Sequence, residues 1–150
     1  MQTFVGRDGA ETHVNTPARL AFQITPEGHP CIRFKDMRER FHVVTATDFT
    51  VELNCWVHLA AVSDGKKLSL YANKLDGQGY RELASQKLPE DSLTALSNVD
   101  PDAIWSVGRG KSSNGWPGEW FKGWIDEVRI SAIARAPDEF LFAPRRVELE

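Results

Sequence analysis

The chain has 150 residues, 41% of them hydrophobic and 26% charged, with a formal net charge of −3. That is enough for one domain to bury a core without disulfide or metal staples. Such a charge argues against a nucleic-acid partner, and no apolar run approaches the eighteen or so residues of a membrane-spanning helix, so membrane insertion is not expected.

Period-two alternation dominates the local pattern, interrupted by Gly, Pro, Asp and Asn. No signal peptide is visible at Met1. Arg19–Thr25 alternates and predicts a strand, followed by the turn residues Pro26-Glu27-Gly28-His29. Cys31–Lys35 alternates again. A charged turn, Asp36 to Arg40, precedes Phe41–Thr45, whose β-branched residues suit a strand. Trp56–Val62 and Lys67–Asn73 flank Asp64-Gly65, a strong hairpin pair. Asp76-Gly77 and Gly79 mark a further turn before a strand over Tyr80–Lys87. Residues 88–102 read as a long surface loop, Ala103–Gly108 as a strand, and Arg109–Gly118 as a second loop. Lys122–Ile130 is the last expected strand. Pro137–Phe142 predicts one short helix, with Pro at a first helical position and two acids suited to the helix dipole. Many short strands with almost no helix predict an antiparallel β-sandwich or barrel.

Three of these segments, in order, resemble the laminin-G-like branch of the concanavalin A-like lectin/glucanase jelly-roll superfamily. Trp56-x-His58-Leu59-Ala60, then Asp64-Gly65 and Leu68-x-Leu70-Tyr71-x-Asn73, is similar to its central hairpin. Phe121-x-Gly123-x-Ile125-Asp126-Glu127-Val128-Arg129-Ile130 resembles its C-terminal signature strand, and Ile133–Phe140 the helical turn that follows. Lys74 stands where relatives place a glycine, which moves the hairpin turn to Asp76-Gly77. The resemblance implies a two-sheet antiparallel jelly roll with one short C-terminal helix. The family's opening strands find no counterpart before residue 19: either Met1–Gly6 begins midway through the usual topology or the early strands have diverged, and a sandwich trimmed at its N-terminus, or completed by another copy through open sheet edges, is expected. The terminal Leu149-Glu150 is read as a cloning remnant after a domain spanning residues 1–148. An extracellular, periplasmic or cell-surface home, as one part of a larger exported chain, follows from the resemblance alone.

Glycosidases on this fold alternate carboxylates along one strand, and hydrolysis needs two carboxyl groups facing each other. No Glu-x-Asp spacing occurs in an expected strand, and Asp126-Glu127 are adjacent, which sends them to opposite faces. A noncatalytic binding module is therefore expected, with a glycan as ligand. A structural or protein-interaction domain beside a catalytic partner is the alternative, and a glycoside hydrolase a remote one. The ligand site is placed on the loop from Lys111 to Trp120, where Asn114, Trp116, Glu119 and Trp120 combine flat aromatic faces with hydrogen-bonding groups. The charged turn bearing Arg38 and Arg40 is a second place for it. A structural Ca²⁺ is implied by the resemblance, with Asp126 as the ligand carried over. Trp56, Trp105 and Trp124 sit in expected strands and are assigned to the core. His58 is expected as a structural strand residue and His42 as a surface histidine. Cys31 and Cys55 are expected as buried free thiols, with a cross-strand disulfide as the alternative.

Overall fold

The computed structural model describes residues 1–8, 18–92, 104–111 and 117–141. Ten strands follow in order: β1 Gln2–Asp8, β2 Leu20–Ile24, β3 Pro30–Lys35, β4 Phe41–Thr45, β5 His58–Ser63, β6 Lys67–Asn73, β7 Arg81–Lys87, β8 Ile104–Val107, β9 Gly110–Lys111 and β10 Pro117–Gly118. They form a five-stranded sheet in the order β4-β3-β2-β1-β8, a three-stranded sheet β5-β6-β7 and the small β9–β10 ribbon. All the pairings are antiparallel. The architecture is the all-β, two-sheet sandwich that the sequence predicts.

Side chains of opposed ladder partners share a face. On the inner face of the large sheet, Leu20 pairs with Phe34 and Ile32 with Val44. Leu68, Leu70 and Ala72 of β6 meet them from the small sheet, and together with Phe49 and Leu88 they form the buried core. The two sheets touch through β3 and β4 on one side and β6 and β7 on the other. The sandwich is therefore closed along its β4/β7 margin. Toward β1 and β8 no strand among the described residues opposes the large sheet, which has five strands over three.

Turn chemistry accounts for the hairpins. Asp64 Oδ1 accepts from the amides of Lys66 and Lys67, both at 2.8 Å, and Gly65 takes φ +89°, which a glycine adopts without steric cost. The longer β6–β7 connection bends at Leu75, whose amide donates to Asn73 Oδ1 at 2.8 Å.

Several expectations are corrected. β1 is a full strand between β2 and β8, at a place where the sequence reading identifies no strand. Residues Trp124–Ile130 form no ladder, and the helix is a single 3₁₀ turn, Pro137–Glu139, closed where the Ala136 amide donates to Glu139 Oε2 at 2.9 Å. Trp56, Trp105 and Trp124 are 58%, 43% and 86% exposed. Trp56 precedes the start of β5, Trp124 lies outside the ladders, and Trp105 lies on β8, so among the described residues no strand covers any of them. Finally, Cys31 is a buried thiol but Cys55 is an exposed one, and both are free.

Candidate functional site

The residues expected to contact a ligand fall in three places. Asn114 and Trp116 lie outside the described residues. Glu119 and Trp120 follow the β9–β10 ribbon, on a stretch tied to β1. The Thr3 amide donates to the Glu119 carbonyl at 2.7 Å, and Thr3 bridges Trp120 in parallel. Glu119 adopts φ +51°, a left-handed conformation that turns the chain there. Its carboxylate is held from below. Thr3 Oγ1 donates to Oε2 at 3.1 Å, Gln23 Nε2 also donates to Oε2, and Gln23 Nε2 donates to Thr3 Oγ1 at 2.8 Å. Thr3 and Gln23 are 0% and 1% exposed, so the carboxylate rests on a fully buried polar base. Both bonds end on one oxygen. Trp120, the next residue, is 59% exposed.

Gly110 makes this packing possible. A Cβ there would stand 2.3 Å from Thr3 Oγ1 and 3.2 Å from Glu119 Oε2. Sequence reasoning missed Thr3 and Gln23. Gln23 occupies the polar phase of β2, which reads as solvent-facing, yet the ribbon covers it.

Arg38 and Arg40 sit in the turn between β3 and β4. This turn is organised by Asp36, whose side chain is fully buried. Asp36 Oδ1 accepts from the amides of Arg38 and Arg40 at 2.8 and 3.0 Å, and Oδ2 from Arg40 Nε at 3.1 Å. Burial alone would raise the Asp36 pKa. The bonds from His42, Arg40 and the two amides override it and hold the carboxyl well below the usual carboxylate range. Arg40 Nη1 reaches Asp91 Oδ1 at 3.0 Å, and Arg38 Nη1 lies 3.4 Å from Asp91 Oδ2. Both guanidinium groups are thus engaged within the protein. In the same turn, Glu39 receives Arg19 Nη1 at 2.6 Å and also Lys35 Nζ. These bonds lower its pKa to about 2.

His42 is buried rather than at the surface, a correction with a clear cause. It belongs to the inner face of β4, 5.0 Å from the Phe34 ring, where its Nε2 lies 2.9 Å from Asp36 Oδ2. Ser92 Oγ lies 3.3 Å from the same Nε2. An Asp, a His and a Ser are therefore in contact, but both partners crowd one ring nitrogen. A serine hydrolase relay uses the two nitrogens for different partners, Asp on one and Ser on the other. His58 lies in β5, as expected, with Nδ1 hydrogen-bonded to the Tyr80 hydroxyl.

Asp126 is exposed, and its Oδ1 accepts from the Glu127 amide at 2.9 Å. Among the described residues no three His, Cys, Asp or Glu side chains cluster to hold a metal ion. Between the sheets, on the side where the large sheet is uncovered, lies a cleft of about 1140 Å³. Phe4, Phe22, Leu59, Trp105 and the stretch from Phe121 to Ile133 contribute to its walls.

No curated protein and no solved structure matches the chain. The family model for the concanavalin A-like lectin/glucanases superfamily matches residues 2–140. That span takes in both sheets, from β1 to the 3₁₀ turn, and agrees with their antiparallel two-layer arrangement. The chain belongs to the concanavalin A-like lectin/glucanase superfamily.

Proposed function

We propose that this domain is a noncatalytic carbohydrate-binding module of a larger exported protein, with its ligand contacts on the stretch that carries Trp120. The carrying observation is the exposed Trp120 next to a carboxylate held on a buried base. Sugars stack C–H faces on flat aromatic rings, and rigid neighbouring hydrogen-bonding groups set their orientation. Holding Glu119 from beneath limits the side-chain entropy lost on binding. Asn114 and Trp116 of the same loop complete the proposed contact set. The noncatalytic reading draws support from Asp126 and Glu127, which are adjacent along the chain, and from the His42 nitrogen that serves Asp36 and Ser92 together. A structural calcium ion with Asp126 among its ligands is the companion proposal, supported by the family resemblance.

Affinity gel electrophoresis against a panel of polysaccharides tests the reading. Retardation by at least one polysaccharide is expected. Trp120→Ala or Trp116→Ala should weaken binding by roughly ten- to thirtyfold, about 1.4–2 kcal/mol, with circular dichroism unchanged. Unchanged binding by both variants removes the loop as the site. No retardation by any polysaccharide overturns the glycan reading and favours a protein-interaction role, to which the exposed apolar side chains Trp124, Ile130 and Ile133 are suited.

A further inference from the structure

Two unfinished edges face each other across the cleft. β5 is the outer strand of the small sheet. Across from it, Trp124–Ile130 has strand composition, yet no residue from Trp124 to Ala134 shares a backbone–backbone hydrogen bond with another described residue. Peptide groups left without such partners must be hydrated, and an unpaired edge is a template for another strand. Both segments line the same cleft. Meanwhile the inner faces of β1 and β8, with Phe4, Val5 and Trp105, have no strand of the described residues opposite them.

We infer that Trp124–Ile130 is a strap that docks on the free edge of β5 as a fourth strand of the small sheet and closes the cleft against β1.

The register follows from length and pattern. An antiparallel strand that places Arg129 opposite His58 runs the full length of β5, ending with Trp124 opposite Ser63. A parallel strand through the same point would leave β5 after one residue. In the antiparallel register, Leu59 faces Val128 and Ala61 faces Asp126. Leu59 and Ala61 point to the core. Trp124, Val128 and Ile130 therefore turn inward together, and Ile125, Glu127 and Arg129 turn outward. The three inward apolar residues are exposed in the open form, and docking would cover them. Glu127, at φ +53°, breaks the extended course of the segment and must relax for the strand to straighten. Asp126 is the one inward residue that resists closure, because its carboxylate would leave water.

Amide hydrogen exchange on the whole chain, read by NMR, tests the strap. Alternate amides in Ile125–Arg129 should exchange about tenfold more slowly than Ser131–Ala134, and by a larger factor in Asp126→Leu. Val128→Asp should abolish that protection while β6 and β7 stay protected, which shows that the sandwich itself remains folded. Glu127→Lys, on the outward face, should change nothing. Exchange of Ile125–Arg129 at the rate of Ser131–Ala134 in both the wild type and Asp126→Leu would overturn the inference. Protection that rises with protein concentration would overturn it too, since the fourth strand would then come from a second copy.

Discussion

Gly110→Ala is the sharpest probe of how the ribbon sits on the large sheet. A glycine-to-alanine change in open space stabilises a fold by about 0.4–1 kcal/mol, because the unfolded chain loses freedom. Here the added methyl would stand 2.3 Å from Thr3 Oγ1 and 2.8 Å from Thr3 Cβ. Thr3 cannot move aside, since it is fully buried and its amide is bonded to Glu119. Overpacking of this kind costs about 1–3 kcal/mol. Pushing Thr3 Oγ1 away also strands the Gln23 amide, and an unsatisfied buried donor costs about 1–3 kcal/mol more. Against the entropic gain, the net loss is about 1–5 kcal/mol. For a chain of this length each kcal/mol moves Tm by about 2–4 °C, so a fall of roughly 2–20 °C is expected. Urea unfolding at constant m-value measures the loss directly. Thr3→Ala removes the oxygen but leaves the Cβ, so Gly110→Ala should cost about 1 kcal/mol less in that background, a coupling that a double-mutant cycle isolates. A cost below about 0.5 kcal/mol in the wild-type background, or no coupling to Thr3, would refute the packing argument.

Acid should act first on the β3–β4 turn. The Asp36 and Glu39 pKa values are depressed in the fold, so the stability each contributes is fully present above its unfolded value and is lost as pH falls through its folded one. For Glu39 the window runs from the ordinary 4.5 down to about 2. Glu39→Gln should flatten the acid limb of a stability–pH curve there, and an unchanged limb would exclude it as a contributor. Asp36→Ala should cost about 3 kcal/mol at pH 7, near the low end for a broken buried pair because Arg40 stays partly hydrated. Calcium ligation at Asp126 requires that millimolar calcium raise Tm and that Asp126→Asn abolish the rise. A Tm indifferent to calcium and to chelator would withdraw the ion.

Strands were legible where the polar and apolar phases matched solvent and core. β4 and β6 have the boundaries that their alternation predicts, β3 and β7 differ by one residue at the first end, and β2 is one residue shorter at each end. β1 was not legible. Its inner face carries Phe4, Val5 and Arg7, two apolar residues at a bulge and then a cation beside Trp105, so its pattern is not period two. Gln23 and His42 show the limit from the other direction. Each is a polar residue whose burial is decided by a distant segment, the ribbon for Gln23 and the Asp36 turn for His42. The tryptophans misled for a related reason. A large apolar residue in strand-like sequence is core only when another layer opposes it, and the count of strands in the facing sheet is not written locally. Of the candidate contacts, Trp120 was legible as an exposed aromatic, whereas the polar base beneath Glu119 joins residues about a hundred positions apart in sequence.

The placement of β1 also sets a timetable for folding. β2, β3 and β4 form one meander and β5, β6 and β7 another, each from short hairpins that can close as soon as they leave the ribosome. β1 can join β2 early, but Val5 meets Val107 only after about a hundred residues have been made, with the loop-closure entropy that such a span carries. Until then one edge of the large sheet, bearing Val5 and Gly6, stays open in the nascent chain. β1 is thus the last strand inside the large sheet to acquire both neighbours, and the hazard of wrong pairing is concentrated at its edge and lasts through most of the domain's synthesis.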